Sequence, residues 1–234
     1  MEVIILAGGL GTRLKTKIPS LPKCLAPINE EPFISYLINY LRNYRVHKII
    51  LSLGYKNSEV LEYLKKNNFD IPIEVSIEDY PLGTGGAIFK AIKLVKDENF
   101  CIINGDTYYN IDLNKLFQFH LNHGSFCTIG LKPMKLFDRY GTVQINIKSE
   151  IIGFIEKKFC NEGLINGGVL FLNKQIIGKS LENKVFSLED VYIKNAIELK
   201  KAYGMISDDY FIDIGIPSDY ERAQMEFKKL IFIK

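Results

Sequence analysis

The chain has 234 residues, of which 47% are hydrophobic and 24% charged, a composition typical of a soluble globular protein. Its 30 Lys and Arg residues and 27 Asp and Glu residues leave a formal charge of +3, with both signs mixed along the chain. This distribution argues against a nucleic-acid-binding protein, so we expect any anionic partner to be small. The length allows one sizeable α/β domain, and we expect residues 1–234 to form a single domain.

The apolar runs of the sequence, such as VIILA and KKLIFIK, are too short to cross a bilayer. The first residues lack the basic region, long apolar core and cleavage site of a signal peptide. We therefore expect a cytoplasmic protein with no membrane partner.

The cysteines and histidines give little sign of a metal site. No Cys-x-x-Cys pair occurs, so we expect the four cysteines to be reduced and mostly buried: Cys24, Cys101, Cys127 and Cys160. The one suggestive histidine pair is His120 and His123, and it has no nearby acidic or cysteine partner. We expect these histidines to be packing or surface residues.

Strand-like and helix-like segments alternate through the first half of the chain. In order, they read VIILA, FISYLINYLRNY, KIILSLG, EVLEYLKKN, IEVSIE, GAIFKAIKLV and FCIINGD. This alternation predicts crossover connections and a mostly parallel sheet covered by helices.

The segment from Phe126 to Glu156 differs, because strand-like runs follow one another with few helix signals between them. It predicts an antiparallel or mixed section of the sheet. After INGGVLFL we expect a helix near SLEDVYIKNAIELKKA, a short strand near Tyr210 to Ile212, and a last helix from about Pro217. This helix-rich end leaves no room for a C-terminal β-helix.

The first strand is followed by the glycine-rich segment AGGLGTRL. It contains Gly9-x-Gly11, but Leu14 stands where a dinucleotide-binding loop has its third glycine. A P-loop is also disfavoured, because Gly8 is not followed by Gly-Lys-Ser/Thr at the required spacing. A purely structural turn remains an alternative for the glycines alone.

Two cations accompany these glycines. Arg13 offers a planar fork of donors and Lys23 a compact charge, so together they can hold different oxygens of a polyphosphate. Pro19 and Pro22 favour an extended segment between them, which would let the two cations reach opposite ends of one phosphate chain. The alternative is that both are solvated surface residues.

The segment LAGGLGTRLKTKIPSLPKCLAPI resembles the signature loop of the sugar-1-phosphate nucleotidylyltransferases. The resemblance continues over nearly the whole chain, in EDYPLGTGGAI, INGDTYYNIDL, FIEKK, INGGVLFL and DIGIPSDYERAQ. In one departure, the run KTKIPS after the arginine is altered in spacing. The resemblance implies a single nucleotidyltransferase domain with a Rossmann-like three-layer sandwich of the nucleotide-diphospho-sugar transferase type. Its central sheet would be mixed and mostly parallel.

The reaction that this resemblance implies is attack of a sugar 1-phosphate on the α-phosphorus of a nucleoside triphosphate, with release of pyrophosphate. A phosphate monoester is largely ionised at neutral pH, since its second pKa lies near ~6, so no strong general base is needed. Asp106 follows a strand-like run and should lie at the carboxyl edge of the sheet, where its oxygens suit Mg²⁺. If the family pattern holds, Asp213 is the second Mg²⁺ ligand. For each aspartate alone, a turn-forming or helix-capping role is the alternative.

The resemblance also implies binding roles for individual residues. Backbone amides of the glycine loop would face the nucleotide, Arg13 would neutralise the β- and γ-phosphates, and Lys23 would lie near the α-phosphate. The remaining nucleotide-binding candidates are Leu6, Ala7, Gly8, Gly9, Gly11, Thr12, Glu78, Gly83 and Thr84, the last two at the base. The sugar hydroxyls would contact Gly141, Glu156 and Asn166, and the sugar phosphate would contact Lys157.

The blocks PLGTGGA and FIEKK look most like the guanylyltransferase branch, which uses GTP and mannose-type or heptose 1-phosphates for surface polysaccharides. Uridylyl- or thymidylyltransferases of hexose or amino-sugar phosphates remain alternatives. A non-catalytic nucleotide-sugar sensor on the same fold is an alternative of another class, and a nicotinamide-dependent oxidoreductase is a more distant one. The apolar run LIFIK could pack on its own domain or on a second subunit, and we expect a homodimer.

Overall fold

The computed structural model describes residues 1–9, 11–14, 17–155, 157–178 and 184–230. For Thr12 and Leu230 it describes the backbone but not the side chain. The strands are β1 (Glu2–Leu6), β2 (Pro27–Ile28), β3 (Glu31–Pro32), β4 (Lys48–Leu53), β5 (Ile73–Ile77), β6 (Asn99–Asn104), β7 (Thr107–Tyr109), β8 (Cys127–Phe137), β9 (Thr142–Ile145), β10 (Ile151–Ile155), β11 (Cys160–Asn173), β12 (Ala202–Ile206) and β13 (Phe211–Asp213). The α-helices are α1 (Phe33–Arg42), α2 (Asn57–Lys66), α3 (Gly83–Ala91), α4 (Leu113–Asn122), α5 (Lys194–Glu198) and α6 (Pro217–Leu230).

The first half of the chain forms a parallel section of the sheet. Strand β1 lies between β4 and β6, β5 lies beyond β4, and all three pairings are parallel. Consecutive residues of β1 point to opposite faces, so Ile5 packs into one hydrophobic cluster and Ile4 into the other. Both faces are covered by helices, which explains why these strands are almost continuously apolar.

Different helices pack against the two faces of the sheet. On the Ile5 face lie buried residues of α1, α4 and α6, including Leu37, Leu116 and Phe227. On the Ile4 face lies Ile88 of α3. This arrangement of helices on both sides of one mostly parallel, mixed sheet confirms the predicted three-layer α/β fold.

The predicted antiparallel section is confirmed. Strand β11 pairs antiparallel with β6 on one side and with β8 on the other, and β9 and β10 form an antiparallel pair attached to β11. Strand β12 was missed: it pairs parallel with β8 from Ala202 to Ile206, where the predicted helix was expected to end. The short strands β2, β3 and β7 were missed as well. The helix itself ends at Glu198, after a π-helical turn over Glu189–Ile193.

The C-terminal prediction was close to the structure. The short strand β13 covers Phe211–Asp213, and α6 begins at Pro217. Most of the apolar run LIFIK, residues 231–234, lies outside the described residues, as do Lys15 and Thr16 of the altered loop segment.

Candidate active site

The carboxyl ends of β1, β4 and β6 open into a cavity of about 350 Å³. Its wall brings together nine residues that the sequence predicted for the site: Leu6, Ala7, Gly8, Gly9, Lys23, Glu78, Gly83, Thr84 and Asp106. Six further residues line it without having been predicted: Cys24, Ser52, Pro81, Ala87, Asn104 and Gly105. The cavity lies at the edge of the sheet where open α/β folds bind ligands.

The glycine loop follows β1 directly and passes close to two other loops. A β-carbon on Gly8 would lie 2.7 Å from a carboxylate oxygen of Glu78 and 3.1 Å from the backbone nitrogen of Gly54. Both separations are shorter than ordinary contacts, so a side chain at this position would displace the Glu78 carboxylate and crowd the Gly54 backbone. Among the described residues, the neighbours in the chain aside, no atom lies within 4 Å of such a β-carbon on Gly9, which leaves this part of the loop open towards the cavity.

The second part of the loop forms a 3₁₀ turn at Thr12–Leu14, closed by the Leu14 N–H donating to the Gly11 carbonyl at 3.0 Å. Leu14 is buried and anchors the turn, whereas the Arg13 side chain is exposed. Arg13 and Gly11 do not line the cavity, and Leu10 lies outside the described residues. The structure therefore separates the two predicted cations, with Lys23 at the cavity and Arg13 on the surface beside it.

The position of Lys23 is fixed by the buried residues that follow it in the chain. It begins a 3₁₀ turn after Pro22, and this turn buries Cys24 and Leu25. Its ammonium group lies 2.9 Å from a carboxylate oxygen of Asp106, which follows β6. The thiol of Cys24 is not available as a nucleophile, because burial raises its pKa to about 12.

Asp213 is brought next to Asp106 by the pairing of two short strands. In this antiparallel pair Asp213 is opposite Thr107, and the Ile214 N–H donates to the Asp106 carbonyl at 3.0 Å. Burial and the negative charge of Asp106 raise the pKa of Asp213, while a hydrogen bond from Gly215 and the charges of Lys23 and Arg139 oppose that rise. Two oxygen-rich groups that repel each other fit a divalent cation such as Mg²⁺.

Glu78 lies at the other end of the cavity. One of its oxygens accepts the Leu82 N–H at 2.9 Å, just before α3 begins, and the other lies beside Gly8. The side chain is half-buried, and burial raises its pKa. The hydroxyl of Thr84 also has a hydrogen-bond partner within the protein, because it accepts the Leu188 N–H at 2.8 Å. Glu78 thus retains one carboxylate oxygen that can accept a hydrogen bond from a ligand.

Comparison with known protein families agrees with this geometry. The family model described as Nucleotidyl transferase matches residues 2–229. The chain belongs to the nucleotidyl transferase family.

Several members of the nucleotidyl transferase family are similar to this chain over nearly its whole length. The chain is 47% identical over 231 residues to the D-glycero-α-D-manno-heptose 1-phosphate guanylyltransferase of Aneurinibacillus thermoaerophilus, covering 99% of this chain and 100% of that protein. It is 46% identical over 220 residues to the protein of the same name from Campylobacter jejuni, covering 94% of this chain and 97% of that protein. The crystal structure of HddC from Yersinia pseudotuberculosis complexed with GMP-PN has a TM-score of 0.85 and 37% identity, covering 97% of this chain and 99% of that chain.

The described residues that were predicted to bind the sugar lie in or next to the antiparallel section of this nucleotidyl transferase. Gly141 precedes β9, and a β-carbon there would lie 2.8 Å from the Ile155 carbonyl, so the tight approach of β10 requires glycine. The side-chain oxygen of Asn166, in β11, accepts the Gly168 N–H at 2.9 Å. Lys157 is exposed just after β10, and Glu156 lies outside the described residues.

Strand β11 of the antiparallel section passes close to a residue that lines the cavity. A β-carbon on Gly168 of β11 would lie 2.8 Å from the side-chain nitrogen of Asn104, which lines the cavity. Asn166 is two residues from this junction. Gly141, Lys157 and Asn166 therefore lie in or next to β9–β11, and none of these three described residues lines the cavity itself.

The histidine pair is structural. His120 is buried, with its ring nitrogens 2.9 Å from the Thr128 hydroxyl and 3.0 Å from the Asn99 side-chain oxygen, and burial lowers its pKa to about 4. His123 stacks on Phe119. Three of the four free cysteines are buried, as expected, and Cys160 is half-buried. Among the described residues, no helix combines the length and apolar character needed to cross a membrane.

Proposed function

We propose that the protein transfers GMP from GTP to D-glycero-α-D-manno-heptose 1-phosphate, giving a GDP-heptose and pyrophosphate. The observation that carries the proposal is the cavity in which the glycine loop, Lys23 and Asp106 meet. The near full-length similarity to two guanylyltransferases of this heptose phosphate supports the choice of both substrates. A cytoplasmic location and a role in capsule or other surface polysaccharide synthesis belong to the same proposal.

In this reaction an oxygen of the sugar 1-phosphate attacks the α-phosphorus of GTP and forms a new P–O bond. The bond between the α-phosphorus and its bridging oxygen to the β-phosphate breaks, and pyrophosphate leaves with the electron pair. Both reactants are anions, so the site must above all reduce their repulsion and align them. Lys23, which lines the cavity, would balance charge at the α-phosphate, and the backbone N–H of Gly9 would donate to phosphate oxygens.

Asp106 and Asp213 would hold Mg²⁺, whose charge offsets that of the triphosphate. Their juxtaposition and the raised pKa of Asp213 support this assignment, because a cation would relieve the repulsion between the two carboxylates. The Lys23 ammonium already offsets one of the two negative charges. Its ion pair also keeps the Asp106 carboxylate at the edge of the cavity.

Recognition of guanine is assigned to Glu78. The Watson–Crick edge of guanine presents two neighbouring N–H donors, at N1 and N2, whereas adenine presents an acceptor at N1. A carboxylate offers acceptors only, so the free oxygen of Glu78 can accept from the neighbouring N1 and N2 donors of guanine, whereas the N1 acceptor of adenine would oppose it. Gly83 and Thr84, at the start of α3, line the same end of the cavity.

The direct test is Mg²⁺-dependent pyrophosphate release from GTP, UTP, dTTP, ATP and CTP, each with heptose, mannose, glucose and amino-sugar 1-phosphates. We expect release with GTP and the manno-heptose phosphate. Release with a different pair would keep the reaction and overturn the proposed substrates. Nucleotide binding without release from any pair would overturn the enzyme and favour the nucleotide-sugar sensor.

A further inference from the structure

The hydroxyl of Tyr140 lies between a cation and a proposed metal ligand. It is 3.2 Å from a guanidinium nitrogen of Arg139 and 3.2 Å from the Oδ2 atom of Asp213. Tyr140 precedes β9, whereas Asp213 ends β13, 73 residues later in the chain. The fold thus places one phenol hydroxyl against the carboxylate from a separate part of the chain.

The chemistry of the three groups fixes the direction of these hydrogen bonds. A guanidinium group only donates, so the Tyr140 oxygen must accept from Arg139. The single hydroxyl hydrogen of Tyr140 is then directed to Asp213. The result is a continuous donor chain that runs from Arg139 through Tyr140 to Asp213.

Asp213 is held at both oxygens. Its Oδ1 atom accepts the Gly215 N–H at 2.6 Å, and its Oδ2 atom accepts from Tyr140. Two donors on different oxygens fix the plane of the carboxylate. Each oxygen keeps a further lone pair that can bind a cation.

Arg139 is itself fixed by a third element. Its guanidinium forms an ion pair with Asp219, a buried residue in the first turn of α6. The guanidinium also lies 5.2 Å from the centre of the Tyr140 ring, within the range of a cation–π contact. Arg139 therefore holds the Tyr140 side chain by both its ring and its hydroxyl.

We propose that Tyr140 is a positioning residue that orients the Asp213 carboxylate towards a divalent cation, and that Arg139 and Asp219 hold Tyr140 in place. The inference rests on the proposed function, because it assumes that Asp213 is a metal ligand. Tyr140 is followed directly by Gly141, a predicted sugar-binding residue. The same loop thus joins the proposed sugar-binding side to the proposed metal-binding side.

The test is the affinity for Mn²⁺ alone, measured from the electron paramagnetic resonance signal of free Mn²⁺ during titration of the full chain. Loss of a side chain that orients a metal ligand typically weakens metal binding ~10–100-fold, so we expect Tyr140→Phe to weaken Mn²⁺ binding by about tenfold. This change keeps the ring and removes only the hydroxyl. Arg139→Lys should weaken binding in the wild-type background and add less than about twofold to Tyr140→Phe, because Arg139 acts through Tyr140.

The matched control is Tyr203→Phe, which removes a hydroxyl in β12, where the ring contacts His123. Its Mn²⁺ affinity should equal that of the wild type. Unchanged affinity in Tyr140→Phe, with normal Mn²⁺ binding by the wild type, would overturn the positioning role and leave the proposed function standing. A wild-type protein that binds no Mn²⁺ would overturn both the positioning role and the metal assignment.

Discussion

The Lys23 ammonium and the Asp106 carboxylate form an ion pair of 2.9 Å at the edge of the cavity. The two residues lie 83 positions apart in the chain and come from different loops. Under the proposed function, Lys23 would bind a phosphate of the nucleotide and Asp106 would bind the metal ion, so each member of the ion pair would gain a new partner when the substrate binds. The ion pair therefore holds together the ammonium group proposed to bind phosphate and the carboxylate proposed to bind the metal ion.

Asp106→Asn should reduce turnover by at least ~100-fold, the scale seen when one main electrostatic stabiliser of a transition state is removed. The amide keeps the shape of the side chain but loses the negative charge that binds Mg²⁺ and pairs with Lys23. The measurement is the steady-state rate of pyrophosphate release, with circular dichroism to compare the folds.

The control for this change is Asp70→Asn, an exposed aspartate whose side chain is 82% accessible. It should turn over at the wild-type rate. If Asp106→Asn also retained near-normal turnover, Asp106 would have no place in the metal site.

Glu78→Gln should reduce the preference for GTP over ATP by about tenfold or more, since a hydrogen bond to a charged group is worth roughly 1.5–3 kcal/mol. Glutamine can still accept the Leu82 N–H, but its amide nitrogen presents a donor where the carboxylate presented an acceptor. The measurement is the ratio of kcat/KM values for the two nucleotides.

Glu198→Gln provides the comparison, because Glu198 is an exposed residue at the end of α5. Its nucleotide preference should not change. An unchanged ratio in Glu78→Gln would mean that the guanine edge is recognised by other groups of the cavity.

Lys157→Ala should weaken binding of the sugar 1-phosphate far more than binding of GTP. Removing the exposed ammonium takes away a charge-assisted hydrogen bond to the acceptor phosphate, so the KM for the sugar phosphate should rise by about tenfold. The measurement is the KM for each substrate, with the other substrate held at saturation.

The neighbouring Lys158, which is also exposed, gives a matched Lys→Ala variant with the same loss of net charge. Its two KM values should stay close to those of the wild type. Equal rises in both KM values for Lys157→Ala would place Lys157 outside the acceptor site.

His120 makes the stability depend on pH. Burial lowers the pKa of His120 from 6.5 to about 4. Between these two pH values the unfolded chain binds a proton at His120 and the folded protein does not, so protonation favours the unfolded state. The stabilisation is complete above pH 6.5 and is lost as the pH falls towards 4, at a cost of about 3 kcal/mol in the free energy of unfolding. Urea unfolding at pH 7 and pH 4 should show a smaller loss for His120→Gln than for the wild type.

His123→Gln is the parallel variant, because His123 lies just after α4 and is half-buried. It should lose as much stability as the wild type over the same pH range. Identical losses in His120→Gln and the wild type would show that carboxylates alone account for the acid sensitivity.

Much of the donor side of the site could be predicted from the sequence, because its chemistry is local. Glycines, a lysine after a proline and an aspartate after an apolar strand each mark a strand end or a turn. Parallel strands bring the glycine loop after β1 and Asp106 after β6 to one edge of the sheet. The turn that begins at Lys23 then brings its ammonium group to Asp106. The roles assigned to individual site residues stay predictions.

The residues that were missed carry no chemical signal in the sequence. Ser52 and Asn104 enter the cavity because both are in register with Leu6 on neighbouring strands, and register is not visible in any one segment. Strand β12 was missed because AYGMI directly follows a helix-like run and pairs with β8, about 75 residues earlier. The Tyr140–Asp213 contact likewise depends on tertiary packing alone.

The antiparallel section joins the parallel one where β11 pairs with β6, and at the cavity end of this pairing Gly168 lies against Asn104. Under the proposed function, the donor nucleotide would bind to loops of the parallel section and the acceptor sugar to β9–β11, so separate parts of the chain would recognise the two substrates. Substitutions on the acceptor side can then change which sugar is used while the phosphate chemistry stays intact. Sugar specificity in such a fold could therefore change without substitutions in the residues that line the nucleotide cavity.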